Sequence, residues 1–519
     1  MASFKKKSIL NLSVSIIYKL ATIVLGILIP RLFITSYGSE LNGLQSSVSQ
    51  IFAYLALLEA GVGAATQQSL YAPLGEKNYN KVNSYLSATS SYYNKIGVVY
   101  FAVLVSLGFV YSLLVPVATM NWWLVFLYII VSGLVGGINY FYLAKVKLLI
   151  AANGDSFVDS SLLTVTYLLT SIAKIALIYA GANIIWIQVS LTSVNLLITF
   201  IYYLIAKKKY PWLSFREKPD YECIKQKNSV LVHKVSGLIF QNVDVLLLTF
   251  MCSLEIVSIY TMYKLVINMV TTFVASFGDS VEFIFGNKMN SADPGHEGYK
   301  KIIDTFNVYY SALSFALYTV TYIMILPFMK LYTAGMDIDY VIEILPWLYI
   351  AIEILTVGRE AMMRTISVAG HFQKTQWRAV AEAAINLVVS VVAIIVCKHF
   401  FGDVGGLYGA LIGTIAAMLY RTVDMNIYAN VKILNRLPIK TFVVMITNAA
   451  LFLVVALLLK PVVPEINSYF DFIIHGVWIT AVVVIGFVLI QSLVNPKEFK
   501  TALSMIFKRK QKNTEKDKA

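Results

Sequence analysis

Apolar runs long enough to cross a bilayer follow one another along almost the whole chain. They fall at about fourteen places: 12–36, 41–70, 84–115, 121–148, 158–180, 185–206, 230–252, 256–285, 301–332, 340–370, 376–400, 405–430, 440–460 and 472–495. A helix needs roughly 20 mostly apolar residues to span the hydrocarbon core. Backbone groups in lipid must bond within a helix or a closed barrel, and runs of this length specify helices. Hydrophobic residues make up 58% of the chain and charged residues only 13%. Mean hydropathy is +0.72, which places the protein among integral membrane proteins.

The connections between runs carry an orientation signal. One alternate set holds 30 Lys and Arg, from Lys5, Lys6 and Lys7 through seven residues in 207–229 to eight in the tail, whereas the other holds only Lys330, Lys398 and Lys460. The imbalance predicts that both termini are cytoplasmic. It also accounts for most of the formal net charge of +14, which reads as topology and attraction to anionic membrane lipids, not as nucleic-acid binding. The first run lacks an A-x-A cleavage site and is expected to remain as a helix. Cys223, Cys252 and Cys397 have no C-x-x-C spacing and imply no disulfide framework.

A weak internal repeat divides the chain. Lys19 corresponds to Lys234 at an offset of 215, Leu44 to Tyr260 at 216 and Gly61 to Gly278 at 217, while "KNYNKV" at 77–82 resembles "EGYKKI" at 297–302. Six runs separate the copies, so each half starts on the same side and the repeat is parallel. The expected organisation is an amino-terminal six-helix lobe (1–206), a basic cytoplasmic linker (207–229), a second six-helix lobe (230–430), two additional transmembrane helices (431–495) and a basic cytoplasmic tail (496–519). A cleft is expected between the halves.

Catalytic chemistry has little foothold. No phosphate-binding G-x-x-x-x-G-K-[ST] loop occurs, the five His form no metal spacing, and the connections leave no room for a soluble catalytic domain. What stands out is nine basic residues inside apolar runs: Lys19, Arg31, Lys95, Lys174, Lys234, Lys264, Arg359, Arg364 and Arg421. Each charge at bilayer depth costs about 2.5–3.5 kcal/mol on insertion scales and normally faces a bundle interior or a wet cavity. Helical spacing gathers polar residues into stripes: Lys234, Gly237, Gln241 and Asp244; Lys264, Asn268, Thr271, Asp279 and Glu282; Glu353, Thr356, Glu360, Arg364 and Ser367; Arg378, Glu382 and Asn386. On a straight helix Arg31 lies about 120° from Lys19, and Pro30 between them offers a kink. Each charge also has a structural reading. Lys19, Arg31, Lys174 and Lys234 could snorkel to head groups, while Glu360 with Arg364 and Arg421 with Asp424 could neutralise each other along one helix.

The sign of the intramembrane charge differs between halves. The candidate charges of the first are Lys19, Arg31, Lys95 and Lys174 with Glu59, and those of the second are seven acidic residues and five basic ones. The expected division of labour is a cationic first half for an anionic substrate and a carboxylate-bearing second half that exchanges H+ or Na+. The candidate substrate-binding residues are Lys19, Arg31, Lys95, Lys174, Lys234, Lys264 and Arg364. The candidate ion-coupling residues are Asp244, Asp279, Glu282, Glu360 and Asp424. No metal or other cofactor is expected.

Two stretches carry a family resemblance. "IPRLFITSYGSELNGLQSSVSQIFAYLALLEAGVGAATQQSLYAPLGEKN" at 29–78 resembles the Wzx-type polysaccharide repeat-unit flippases of the MOP exporter superfamily, and "NVDVLLLTFMCSLEIVSIYTMYKLV" at 242–266 is similar to the start of their second half. The resemblance implies an all-α MOP/MATE-like membrane fold of fourteen helices, with two six-helix lobes related by a parallel pseudo-twofold axis plus two carboxy-terminal helices. It implies a non-enzymatic flippase of the bacterial cell membrane. The implied substrate is an undecaprenyl-pyrophosphate-linked oligosaccharide, moved from inner to outer leaflet by alternating access for O-antigen, capsule or exopolysaccharide synthesis. It further implies a polysaccharide polymerase and export machinery as partners. Arg31 matches the family's basic position at the end of the first helix, and Asp244 matches an acidic position tied in some relatives to Na+. Lys19, Arg31 and Lys95 are then the expected diphosphate contacts. A drug or organic-cation exporter of the same superfamily and a membrane polymerase or glycosyltransferase are the competing functions. The basic first half argues against the former and the short outer connections against the latter.

Overall fold

The computed structural model describes residues 2–59, 61–224, 237, 242–279, 281–289 and 297–504. Lys234 lies outside the described residues, and so does the side chain of Glu282. The protein is all-α, as the apolar runs dictate. Among the described residues, nine helices have the length and hydropathy to cross a membrane, and two shorter apolar ones cover Ala21–Tyr37 and Asn242–Met251. The fourteen expected runs do not map one to one onto unbroken helices.

Two compact units divide the chain: Met1–Ser258 with Met336–Ile338, and Ile259–Gly335 with Asp339–Ala519. Asp244 therefore belongs to the first unit. That unit contains α1 (Ala2–Tyr37), α2 (Ser39–Leu55), α3 (Val62–Gly75), α4 (Tyr79–Leu114), α5 (Trp122–Phe141), α6 (Leu143–Ala152), α7 (Ser156–Tyr179), α8 (Ile184–Lys209) and α9 (Asn242–Met251). Local chemistry sets several starts and ends. Asn78 caps α4 by accepting from the Lys81 amide at 3.1 Å, and Asn183 caps α8 by accepting from Ile185 at 2.9 Å. Lys207, Lys208 and Lys209 close α8 where the helix dipole favours cations.

The run at 41–70 is broken. After α2 comes a single 3-10 turn over Ala56–Glu59, and α3 begins beyond Gly61, whose φ of +94° is open to glycine but strained for other residues. The run at 121–148 also divides, at Tyr142, which has non-helical φ −140° and ψ −57° between α5 and α6. The first part of the expected linker packs onto this unit. Asn83 donates to the Trp212 carbonyl at 3.0 Å and Ser84 to the Lys218 carbonyl at 2.7 Å. Cys223, in the same segment, is buried with its thiol against the Tyr85 carbonyl of α4, and the loss of hydration pushes that thiol up to about 11. At pH 8 this leaves about 100-fold less thiolate than an ordinary cysteine has, and the thiolate is the reactive form. In a Cys252→Ser/Cys397→Ser background, maleimide should therefore label Cys223 far more slowly in the native protein than after denaturation in SDS. Equal rates would contradict the packing of this segment.

The second unit contains α10 (Leu254–Asp279, from Ile259), α11 (Glu282–Met289), α12 (Glu297–Tyr332), α13 (Leu345–Val368), α14 (Phe372–Tyr428), α15 (Ile439–Leu459) and α16 (Tyr469–Val494). α4 and α12, which begin at the two similar stretches 77–82 and 297–302, each have 36 residues. The repeated glycines do different things: the second run of the first half breaks at Gly61, whereas Gly278 lies inside α10. Gly61 supplies a positive φ, whereas Gly278 lets the Arg364 guanidinium approach where a Cβ would stand.

The 57 residues of α14 are two arms joined at Gly402, where φ is +65°, and they contain the expected runs 376–400 and 405–430. Gly405, Gly409 and Gly413 form a ridge at four-residue spacing. A Cβ on any of them would collide with backbone of the facing arm, at Cys397, Ile394 and Ser390 respectively. This is close small-residue packing of the kind that holds helices together in lipid. Gly409→Ala should cost about 1–3 kcal/mol, because main chain cannot yield as a side chain can. Thermal unfolding of the detergent-solubilised variant should show the loss, while Gly486→Ala, with open space around it, should unfold like the parent. A Gly409 variant of parental stability would contradict the ridge.

Candidate functional site

In the first unit the polar groups gather along the seam of α1, α2 and α7. Tyr18 and Tyr167 meet edge to face at 5.9 Å, and the Tyr167 hydroxyl donates to the Thr22 carbonyl at 3.5 Å. Further along the seam, Lys174 of α7 is 8% exposed. Its ammonium donates to Gln45 Oε1 at 2.8 Å and lies 4.3 Å from the centre of the Phe33 ring. Among the described residues, no carboxylate pairs with it. An amide and an aromatic face solvate a cation without neutralising it.

The other expected cations of this unit are less enclosed. Arg31 is half-buried, two residues from Phe33, whereas Lys19 and Lys95 are exposed. At 1.5 Å per residue, Lys19 and Arg31 are separated by about 18 Å along α1, further than one diphosphate reaches. Arg31 and Lys174 share one end of the seam, and Lys19 stands at the other. Asp244 is 3% exposed and within electrostatic reach of the Tyr54 phenol. Nearby polar pairs join α2 to the chain that follows α8: Ser47 with Thr249 at 2.8 Å, and Asn42 with Ser258 at 2.8 Å.

The second unit handles its charges differently. Arg364 pairs with Glu360 at 2.8 Å and with Asp279 at 3.0 Å, and Asp279 keeps 70% of its side-chain surface open. Glu382 binds Arg359 at 2.7 Å and Arg421 at 3.2 Å. Asp424 binds Arg421 at 3.0 Å and also pairs with Arg378. The expected binding residue Arg364 and the expected coupling residues Glu360, Asp279 and Asp424 are thus brought together into ion pairs. The two intrahelical pairs were legible from spacing, but Glu382 reaches Arg359 across from α13 and Arg421 across from the other arm of α14. Lys264 lies over the Tyr260 ring at 5.3 Å.

One carboxylate in this unit stands apart. Glu353 accepts from the Tyr318 hydroxyl at 2.8 Å and the Thr271 hydroxyl at 3.2 Å. Hydroxyls satisfy lone pairs without supplying a countercharge; Lys264 and Arg359 lie within electrostatic reach of it, but among the described residues neither forms an ion pair with it. The stripe containing Glu353 and the one containing Thr271 were both visible in the sequence, but spacing within one helix does not reveal which carboxylate lacks an arginine.

No family model matches the chain, and no curated protein matches it. Solved structures do match. A lipid II flippase MurJ in an inward-closed conformation superposes with a TM-score of 0.63 at 15% identity, covering 93% of this chain and 99% of that one. An inward-facing multidrug resistance MATE family transporter of the MOP superfamily gives 0.62 at 15% identity, covering 82% and 98%. A MOP superfamily transporter from Pyrococcus furiosus, noted for the reverse polarity of its binding pocket, gives 0.52 at 14% identity, covering 83% and 95%. The chain therefore has the MOP-type transporter fold. At this level of identity the likeness extends to the fold and not to the substrate.

Proposed function

We propose that the protein is a flippase for an anionic lipid-linked oligosaccharide, of the undecaprenyl-pyrophosphate class, moving it from the inner to the outer leaflet of a bacterial cell membrane. The observation that carries this reading is Lys174, a buried ammonium that donates to an amide and lies over an aromatic ring and that, among the described residues, pairs with no carboxylate. A buried charge is stabilised by an opposite charge, and a diphosphate head group would provide one. The arginines Arg359, Arg364 and Arg421 of the second unit already have carboxylates. Arg31 and Lys174 would hold the diphosphate at one stage of transfer and Lys19 at another, since they are too far apart along the seam to act together. Lys95, exposed on α4, would meet the head group on entry. Glu353 is the best-placed group in the second unit for H+ or Na+ exchange, ahead of the arginine-paired Glu360 and Asp424, and Asp244 is the candidate in the first. Both termini would be cytoplasmic, and the exported unit would pass to a polymerase and export machinery.

The test is a reconstituted assay. Proteoliposomes containing the purified chain and undecaprenyl-pyrophosphate oligosaccharide are probed with an impermeant sugar-modifying reagent, which reads the substrate that has changed leaflet. Protein-dependent exposure supports the reading. Exposure equal to that of empty liposomes overturns it, and efflux of organic cations from the same vesicles would support a drug exporter in its place.

A further inference from the structure

Glu59 takes no part in the diphosphate path, yet it lines a cavity of about 330 Å³ within the first unit. This volume falls in the ~300–1,000 Å³ range of small-ligand sites. The other polar groups at its wall are Tyr93, Asn139, Tyr140 and Lys147. Both helix breaks of the unit converge here. Glu59 ends the 3-10 turn between α2 and α3, and residues on either side of Tyr142 line the same cavity. Irregular backbone at membrane depth is tolerated where it lines a cavity, so the two breaks and the cavity form one feature.

The wall chemistry narrows the occupant. Tyr93 and Tyr140 meet edge to face at 6.0 Å, and no hydrogen bond occupies either hydroxyl among the described residues. Asn139 Oδ1 accepts from Thr199 at 3.2 Å, which leaves its amide donors available. Lys147 is anchored by Asp159 at 3.2 Å and lies 5.2 Å from the centre of the Tyr202 ring. The carboxylate makes a poor phosphate site, and no group of three potential metal ligands occurs among the described residues. Aromatic faces beside a carboxylate, an amide and an ammonium match a pyranose, which presents C–H faces and a rim of hydroxyls.

We propose that this cavity is a saccharide subsite holding one sugar of the transported oligosaccharide. The assignment rests on the flippase reading and adds to it a place where the sugar is recognised apart from the diphosphate. Gly63 is the means to test it, because a Cβ there would stand 3.2 Å from the Tyr93 hydroxyl and a leucine side chain would fill the space.

The full-length protein in nanodiscs is examined by saturation-transfer NMR with methyl glycosides of glucose, galactose, N-acetylglucosamine and glucuronic acid at millimolar concentration. Binding of sugar-free undecaprenyl diphosphate is measured on the same samples. At least one glycoside should bind the parent, and Glu59→Gln and Gly63→Leu should each weaken that binding tenfold or more while leaving sugar-free lipid binding intact. If no glycoside binds the parent, or if both variants bind glycoside as the parent does, the subsite is overturned while lipid binding still supports the flippase. If the parent binds glycoside but not the sugar-free diphosphate lipid, the diphosphate reading fails and the sugar site stands. Should Gly63→Leu lose both activities through misfolding, Glu59→Gln decides the matter.

Discussion

Lys174→Met should lower protein-dependent leaflet exchange of the diphosphate-linked oligosaccharide by about 10- to 100-fold, the effect of losing one hydrogen bond of about 1.5–3 kcal/mol to a charged group. Methionine keeps the length and the apolar stem of lysine but removes the ammonium that now rests on Gln45 and Phe33. Thermal stability is the control. Replacing a buried charge that has no carboxylate partner should leave the resting protein as stable as before or more stable. Lys174→Arg keeps the charge and should retain part of the activity, although its planar fork fits the Gln45 contact differently. If Lys174→Met exchanges substrate at the parental rate but unfolds earlier, Lys174 is a brace between α7 and α2 and not a diphosphate contact.

Glu382→Leu should destabilise the protein by about 3–5 kcal/mol, the usual cost of removing one partner from a buried ion network. Glu382 answers two arginines, Arg359 at 2.7 Å and Arg421 at 3.2 Å, and these are only 12% and 5% exposed. Without it, among the described residues, Arg359 has no carboxylate partner and Arg421 retains Asp424, which also serves Arg378. Reversible unfolding in mixed micelles would measure the loss. The double variant Glu382→Leu/Arg421→Leu should recover part of it, because it removes one stranded cation along with the anion. If Glu382→Leu unfolds like the parent, the network adds nothing to stability, and the second unit's carboxylates become freer for ion exchange than proposed here.

The element pattern was legible because membrane helices announce themselves through unbroken apolarity. The expected runs at 84–115, 158–180, 185–206, 301–332 and 472–495 coincide closely with α4, α7, α8, α12 and α16. The breaks were harder to read. "EAGVGAA" and "YFYLAKV" continue hydrophobic runs, and hydropathy cannot register that Gly61 has turned to positive φ or that Tyr142 has left the helical region. The run at 340–370 became α13, which carries Glu353, Arg359, Glu360 and Arg364 and so falls outside the strictly apolar helices despite its length.

Sequence by itself determined the solvent, the helical class, the weak repeat and the faces on which polar residues align, because helical period and the cost of bare backbone in lipid are local rules. Only the tertiary structure decided which charges neutralise one another. Glu382 and Arg421 are 39 positions apart and meet because the glycine ridge of Gly405, Gly409 and Gly413 draws the two arms of α14 together. The same holds for Lys174 and for the Glu59 cavity. Periodicity shows that a charge lies on a given face, but whether a carboxylate, a ring or a cavity stands opposite depends on the packing of helices distant in the chain.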